Sequence, residues 1–482
     1  MNGPSDTQLT RLEQLLGAAR TVTDSVSLIA YEVDGVRPAA AVRPASAAEV
    51  AEIVRLAVAE KLAVIPCSGR SKLAIGGVPA RYDVALDLAG LSRVLAYDPG
   101  DLTLGVEPGI RIEDLQRELA QHGQFLPLEV AFSDRATVGG AIATNAYSPL
   151  RAGFGSARDF VLGMEFVTGA GEAAKSGGRV VKNVSGYDLH KLLIGSLGTL
   201  AVITRVNFRT FPRPAETRVL VAAFAAHGAA LGFCRAIANS PLEPRVREML
   251  NPVAADVSGL APQFPADGAT WRVVISAAGS AAVVTRHARD LERMARDAHA
   301  KKFESLAGAE AAAPLRAVRE VVRLALERSP AATILRIALL PASTGAFVEN
   351  LSAIADGANL DAAITLGASG TAYVALLPRS TRWADTSGTS AVTGSGTATD
   401  TASGASADGA ESSFAAAVKQ ILESVSNETA GGRGFVEWCP TALKRRISLW
   451  GAERGDFALM QRVKTIFDPD GVLAPRRFCG GL

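Results

Sequence analysis

The stretch RVVKNVSGYDLHKLLIGSLGTLAVITR, Arg179–Arg205, decides how this chain is read. It opens on β-branched Val180 and Val181 and turns through Lys182-Asn183-Val184-Ser185-Gly186. Leu189, Leu192, Leu193 and Ile194 then recur at roughly helical spacing. Gly195 and Gly198 stand where that segment must stop, since helices commonly end at a residue that tolerates positive φ. Leu200–Ile203 reads as a buried strand. A strand–turn–helix–turn–strand unit with Gly186, Gly195 and Gly198 so close together has two physical readings. The glycines permit compact helix–strand packing, or they let a ligand approach the backbone where a side chain would stand in the way. Taken alone, the unit leaves both open.

Upstream lie two more loops of small residues. Cys67-Ser68-Gly69-Arg70-Ser71-Lys72 follows the strand Leu62–Pro66 directly, and Gly76-Gly77 comes soon after. Successive backbone N–H groups in such a loop form a nest for phosphate oxygens, with Arg70 or Lys72 adding charge. A plain surface loop has the same composition. The second loop is Thr137-Val138-Gly139-Gly140-Ala141-Ile142-Ala143-Thr144-Asn145; Gly153, Gly155 and Arg158-Asp159-Phe160-Val161 follow it. Around these loops we expect a helix beginning at Ser46, which has capping-box spacing to Glu49, and strands at Asp83–Leu88, Leu91–Tyr97 and Leu102–Val106. Asp98-Pro99-Gly100-Asp101 carries hairpin-turn residues. A helix over Ile112–Gln121 stops at Gly123, and a strand covers Val161–Val167. Many short strands, few helices and three glycine clusters in residues 37–214 suit an α+β domain wrapped round a large ligand. No G-x-G-x-x-G sits between a strand and a helix, which argues against a nucleotide site of that type.

From Pro214 the texture changes. Strands (Arg218–Phe224, Trp271–Ser276, Thr333–Leu340, Ala362–Leu366, Ala372–Leu377) alternate with amphipathic helices at about 226–239, 280–297, 308–328 and 345–356, the pattern of an α+β domain with an antiparallel sheet. Residues 384–413 are of low complexity, without Lys or Arg and nearly without large apolar side chains. They cannot offset the entropy of ordering, so a flexible insert is expected there. The domain resumes with a helix over Phe414–Val425 and a strand near Phe435–Cys439, and a helix at about 455–467 leads into the tail. The expected organisation is a lead-in (1–36), a first domain (37–214), a second domain (215–440) and a closing segment (441–482).

At 482 residues the chain has room for two or three cores, and 48% hydrophobic with 20% charged residues is ordinary for a globular protein. A net charge of +2 gives no field for nucleic acid. No apolar run is long enough to span a bilayer, and the first residues lack a charged region followed by an apolar one, so no secretory signal is visible. Cys67, Cys234, Cys439 and Cys479 are far apart and no C-x-x-C occurs, which excludes iron–sulfur and zinc-ribbon ligand sets. No metal site is expected, and reduced thiols in the cytoplasm are the default.

Together the motifs PCSGRSKLAIGG (66–77), DPGDLTLGVEPG (98–109), ATVGGAIATN (136–145), GFGSARDFVLG (153–163) and KNVSGYDLHKLLIGSLGTLAVIT (182–204) resemble the flavoprotein family of vanillyl-alcohol oxidase and p-cresol methylhydroxylase. The tail, LWGAERGDFALMQRVKTIFDPDGVLAPRRFCGGL (449–482), is similar to the closing segment of the FAD-binding E subunits of bacterial glycolate oxidases. The resemblance implies a two-part FAD-binding domain, an α+β cap domain, and a C-terminal segment returning to the first. It implies that Ser68, Gly69, Arg70, Ser71 and Lys72 hold the FAD pyrophosphate. Val138, Gly139, Gly140 and Asn145 would lie along pyrophosphate and flavin. Arg158, Asp159 and Val161 would line the flavin–ribityl region, and Gly195, Gly198 and Ile203 the adenine end. Some relatives carry a flavin-linking histidine where this chain has Arg70, so non-covalent FAD is expected. Relatives commonly have Pro-Gly-Arg where this chain has Pro475-Arg476-Arg477, which puts the local tail geometry in question.

Flavin dehydrogenases of 2-hydroxy acids need an arginine for the carboxylate and a base for the hydroxyl proton. The H-x-G-D-G-N-x-H run of the catalytic glycolate and D-lactate dehydrogenases is absent here. Of His122, His190, His227, His287 and His299, His190 lies in the opening stretch and is the candidate base, against a packing role. Arg336, inside the apolar strand TILRIALLP, is the candidate clamp, against a strand-edge ion pair. The expected function is an FAD-dependent subunit of a glycolate-oxidase-like complex, acting on a small 2-hydroxy acid beside a catalytic flavoprotein subunit and an iron–sulfur subunit. The alternatives are a self-sufficient FAD dehydrogenase and a non-catalytic flavin-binding assembly subunit. No nucleic acid is expected as partner, and membrane association, at the inner face, only through partners.

Overall fold

A computed structural model describes residues 4–180, 186–379, 404–426, 431–451 and 455–482. The chain divides into two compact units, Met1–Ala215 with Glu453–Leu482, and Glu216–Ala452.

The first unit is built on two larger sheets and carries a two-stranded pair, Gln124–Phe125 with Phe211–Pro212. One has four strands in the order Thr21–Val22, Ala40–Val42, Val84–Asp87, Val64–Cys67, the last three parallel. The helix Ala47–Glu60 covers it, burying Val50, Ile53, Val54 and Ala57 against Val42, Val64 and Leu86. Its start follows the sequence with one difference. Ser46 Oγ accepts from Glu49 N at 3.2 Å, but the Glu49 carboxylate reaches past Ser46 to Ala45 N (2.7 Å) and binds Arg20 (2.6 Å). The other sheet is antiparallel, in the order Val94–Asp98, Thr103–Val106, Ala201–Arg209, Val161–Thr168, Ala173–Gly177. The expected strand at Leu91–Tyr97 begins later because Leu88–Gly90 forms a short 3-10 turn. Asp98 Oδ1 closes the hairpin, accepting from Gly100 N and Asp101 N at 3.1 Å.

In the second unit one antiparallel face carries the core. Eight strands run in the order Lys302–Ala307, Glu216–Phe224, Trp271–Gly279, Val246–Leu250, Leu360–Gly367, Thr371–Pro378, Thr333–Ala338, Arg433–Trp438. Alternate residues (Leu220, Ala222 and Phe224; Val273 and Ile275; Leu335 and Ile337; Val374 and Leu376) bury one apolar cluster under the helices His227–Ala238, Ala281–Asp297 and Thr344–Gly357. The strands Val246–Leu250 and Lys302–Ala307 went unread in the sequence, since neither shows a clean alternation.

Most of the low-complexity insert, 384–403, lies outside the described residues, as do 181–185 of the opening stretch. The last part of that insert is a correction: the helix begins at Gly404 and runs to Ser426, not from Phe414. Ala and Glu are good helix formers, and Ala-Ser-Ala-Asp-Gly-Ala-Glu-Ser-Ser simply extends the apolar helix behind it.

Candidate functional site

Three small-residue segments of the first unit meet at one open cleft. Its first wall is the loop after Val64–Cys67. A β-carbon on Gly69 would sit 2.0 Å from the Arg135 carbonyl oxygen, so no other residue lets this loop lie against its neighbour. Ser68 Oγ is 2.5 Å from Thr137 Oγ1, joining that loop to the second wall. Thr137 caps the helix Val138–Ala143, and Gly139 packs on Pro108, where a β-carbon would lie 2.6 Å from Pro108 Cβ. The third wall is the end of the opening stretch. Gly195 N donates to Ile142 O at 3.0 Å and Leu197 N to Ala143 O at 2.9 Å, tying it to the second. Gly195 (φ 90), Leu197 (φ 55) and Gly198 (φ 71) all take left-handed conformations, which is why the helix lasts a single turn, His190–Leu193.

Ser68, Gly69, Arg70, Ser71, Lys72, Gly139, Gly140, Gly198 and Ile203 all line this cleft. Six other assigned residues stand behind or beside it. Val138 and Val161 are buried in the hydrophobic core. Asn145 (φ 44) packs against Gly195. Arg158 donates to the Lys191 carbonyl at 2.7 Å, and Asp159 is occupied by the cap of its own short helix, accepting from Ser156 N (2.7 Å) and Oγ (2.9 Å). Gly76 and Gly77 serve another purpose than a phosphate nest. Their β-carbons would meet the carbonyls of Arg477 (2.4 Å) and Arg476 (2.5 Å), so they make room for the chain's tail. Arg476 itself takes φ 64, the conformation for which glycine is the cheaper residue.

Arg70 is held rather than free to swing. Its guanidinium lies 4.6 Å from the Tyr31 ring centre and 3.4 Å from Asp87 Oδ2. Asp87, 1% exposed, also accepts from Tyr31 Oη (2.8 Å) and Arg43 Nη2 (2.9 Å). Burial and the Asp87 charge push the Tyr31 phenol up, and Asp87 raises Arg43. Two guanidiniums against one carboxylate leave this wall positive, which suits an anionic ligand. Lys72 Nζ donates to the Ala131 carbonyl (3.1 Å) and sits over Phe132. Tyr31, Arg43 and Asp87 escaped sequence reasoning. The signal was Asp87 itself, an acid closing the buried run Val84-Ala85-Leu86. The Cys67 thiol, in the cleft wall, is buried and pushed up by desolvation, an inert group.

His190 is not among the residues lining the cleft. It is 2% exposed, with Nδ1 3.0 Å from Ser176 Oγ, and burial lowers its pKa. Arg336 belongs to the second unit, on the sheet face opposite the core. Neighbouring strands set Tyr373 and Phe435 beside it, 6.0 and 5.9 Å from its guanidinium, and Glu437 Oε1 lies 3.9 Å from Nη1.

Compared with known proteins, residues 38–177 match the model of an FAD binding domain, and residues 213–373 with 444–478 that of the C-terminal domain of FAD linked oxidases. The chain therefore carries an FAD binding domain followed by an FAD linked oxidase C-terminal domain. Its mixed fold is shared with p-cresol methylhydroxylase (TM-score 0.74, 14% identity, 98% of this chain and 96% of that one). The 4-ethylphenol oxidase of Gulosibacter chungangensis is as close in fold (TM-score 0.73, 16% identity, 99% and 98%). The chain is 40% identical over 130 residues to glycolate oxidase subunit GlcE of Escherichia coli, covering 27% of the chain and 37% of that protein. It is 31% identical over 224 residues to the D-2-hydroxyglutarate dehydrogenase of Xanthomonas citri, covering 45% and 48%. The chain thus spans about half the length, or less, of these two curated relatives. Among the described residues no helix is long and apolar enough to cross a membrane, and no cluster of candidate metal ligands occurs.

Proposed function

We propose that this chain binds FAD non-covalently in the cleft and takes part in oxidising a small 2-hydroxy acid, as a subunit of a glycolate-oxidase-like complex with a catalytic flavoprotein and an iron–sulfur partner. The observation that carries the reading is the meeting of three small-residue walls at one positive cleft. Gly69, Gly139, Gly140 and Gly198 line it, so bare backbone faces the space that the ligand would enter. A long dianionic dinucleotide requires this kind of close backbone approach. When bound, FAD supplies the hydride acceptor.

The residues of this chain bind and orient. Ser68–Lys72 present backbone N–H groups to the pyrophosphate, with Arg70 fixed by Asp87 and Tyr31 as the nearby cation. Gly139 and Gly140 let the second wall approach, and Gly198 and Ile203 border the adenine end. Val138, Asn145, Arg158, Asp159, Val161 and Gly195 act one step back, by holding these walls. Arginine at position 70 offers no histidyl nitrogen for a flavin link. Arg336 is the proposed carboxylate clamp. Its side chain, 11% exposed between aromatic rings, is desolvated enough to make a strong charge-assisted bond, in competition with Glu437. His190 is assigned to packing, because its Nδ1 is engaged and its ring is enclosed. The likeness to D-2-hydroxyglutarate dehydrogenases favours a second reading, a self-sufficient dehydrogenase. We place the protein in the cytoplasm, at a membrane only through its partners.

Purification with and without partners tests this. The chain should be yellow, release its flavin on acid precipitation, and keep its colour with glycolate or D-lactate until the partners are added. Bleaching of the isolated chain by either acid, or by D-2-hydroxyglutarate, would establish the self-sufficient reading instead. A colourless chain that cannot be reconstituted with FAD would overturn both.

A further inference from the structure

Two hydroxyls meet where the first and second walls of the cleft join. Ser68 Oγ and Thr137 Oγ1 are 2.5 Å apart, and both residues line the cleft although they are only 8% and 3% exposed. Thr137 Oγ1 also accepts from Gly140 N at 3.4 Å. Neither hydroxyl has a further hydrogen bond among the described residues. Each hydroxyl carries one hydrogen. One of the two lies between the oxygens, and the Gly140 amide brings its own. Whichever oxygen donates within the pair, the other hydroxyl keeps a hydrogen with no acceptor. An enclosed donor left in that state is costly.

Gly140 marks the open space beside the pair. A β-carbon there would lie 3.2 Å from Thr137 Oγ1 and 4.0 Å from Ser68 Oγ, and beyond its own helix would meet nothing else within 4 Å. Gly140 lines the cleft as well, so both hydroxyls border a point of the cleft that no side chain fills.

We propose that the Ser68–Thr137 hydroxyl pair is a ligand-binding element of the cleft, donating its spare hydrogen to a phosphate oxygen of the bound dinucleotide. This rests on the FAD reading. A phosphate oxygen is the acceptor that suits the place: it makes the stronger, charge-assisted kind of bond, and Arg70, two residues further along the same loop, helps to make this wall positive. The two hydroxyls also stand in for each other. With one removed, the other still has a hydrogen to give, so only the loss of both strips the site of its donor.

The test uses the full chain, stripped of flavin. FAD and ADP affinities are measured for wild type, Ser68→Ala, Thr137→Val, the variant carrying both changes, and Gly140→Ala. Each single hydroxyl deletion should cost about threefold or less, and the double variant should bind both ligands roughly ten- to hundredfold more weakly, more than the two single losses combined. Gly140→Ala places a methyl where the phosphate oxygen would sit, in a helix that favours alanine, and should weaken both ligands to a similar extent. Wild-type affinity in the double variant would overturn the proposal while leaving the FAD reading intact. So would weaker FAD with unchanged ADP, which would put the contact on the flavin half. If the double variant fails to fold, Gly140→Ala that binds ADP as tightly as wild type would overturn the proposal equally. A wild type that binds neither FAD nor ADP would bring down both.

Discussion

The two units differ in how much they lean on close backbone approach. In the first, several glycines are contact points. Gly69, Gly76, Gly77, Gly109 and Gly169 each have a backbone carbonyl or a buried carboxylate within 2.5 Å of where a β-carbon would be. Its buried charges also converge, with Asp87 binding two arginines and Asp468 binding Lys464. In the second unit, stability comes from long, regular antiparallel strands over one apolar cluster. Several of its glycines, among them Gly228, Gly232 and Gly268, have nothing within 4 Å of an added β-carbon. A unit that must admit a ligand between its own segments is held by close backbone approach. A unit built on one long regular sheet can be held by side-chain packing, which tolerates substitution better.

Gly69→Ala tests this contrast hardest. Its β-carbon would meet the Arg135 carbonyl, and the first wall must move away from the second. We expect a loss of about 2–4 kcal/mol in stability, from mechanisms of overpacking and strain, together with loss of bound flavin, read by thermal melting and absorbance. Retained flavin would show that the cleft does not depend on this approach. Next in size is Asp468→Asn. Asp468 is fully buried, accepts from Val472 N and Leu473 N (both 3.0 Å), and pairs with Lys464, which also donates to Thr199 O and Leu473 O. Breaking a buried pair by neutralising one partner costs about 3 kcal/mol. Denaturant unfolding should show that loss, with the second unit's amide protection unchanged.

Much of the first unit was legible in the sequence for the same reason that it is fragile. Close backbone approaches demand glycine at fixed places, so the loops 66–77 and 136–145 and the Gly195–Gly198 turn are visible as residue patterns. What the pattern could not show was the thing each glycine approaches. Gly76 and Gly77 meet a segment some four hundred residues later, and nothing local distinguishes that from a phosphate nest. Asp87, Tyr31 and Arg43 come together through the sheet order, which is tertiary. The surroundings of Arg336 were hidden in another way. Tyr373, Phe435 and Glu437 reach it through cross-strand register, and a strand sequence does not reveal its partner's register. The strand Ala173–Gly177, rich in small and polar residues, has no β signature and exists because it pairs along Val161–Thr168.

The next two predictions compare charge in the two units. Arg336→Met removes the proposed clamp and leaves Glu437, 3% exposed, without its guanidinium neighbour. With the partners present we expect KM for glycolate to rise about tenfold or more, the cost of one charge-assisted bond. An unchanged KM, with lower stability alone, would make Arg336 a structural ion pair. Smaller again is the acid response of His190 in the first unit and His287 in the second. Burial lowers both pKa values, so the folded state holds each ring neutral where the unfolded chain protonates it. The unfolded state then binds more protons, and stability falls as pH drops below the ordinary histidine value of about 6.5. His190→Asn and His287→Asn should each flatten that decline between neutral and mildly acidic pH, seen in urea midpoints. If His190→Asn leaves the slope unchanged but abolishes activity of the assembled enzyme, its assignment to packing fails.

The smallest effect should have the opposite sign. Gly232 lies in the middle of the helix His227–Ala238, on its exposed side, with nothing within 4 Å of an added β-carbon. Alanine there relieves the entropy of a glycine in a helix without meeting any atom, so Gly232→Ala should stabilise the second unit by about 0.5–1 kcal/mol. The same chemical change at Gly69 is expected to be severely destabilising. One methyl group, added once to each unit, therefore separates two explanations of why the first unit is rich in glycine. If Gly69→Ala and Gly232→Ala shift the melting temperature alike, glycine in the loops reflects only loose composition. If they shift it in opposite directions, and flavin is lost only with the first, the loops are glycine because the backbone itself is the binding surface.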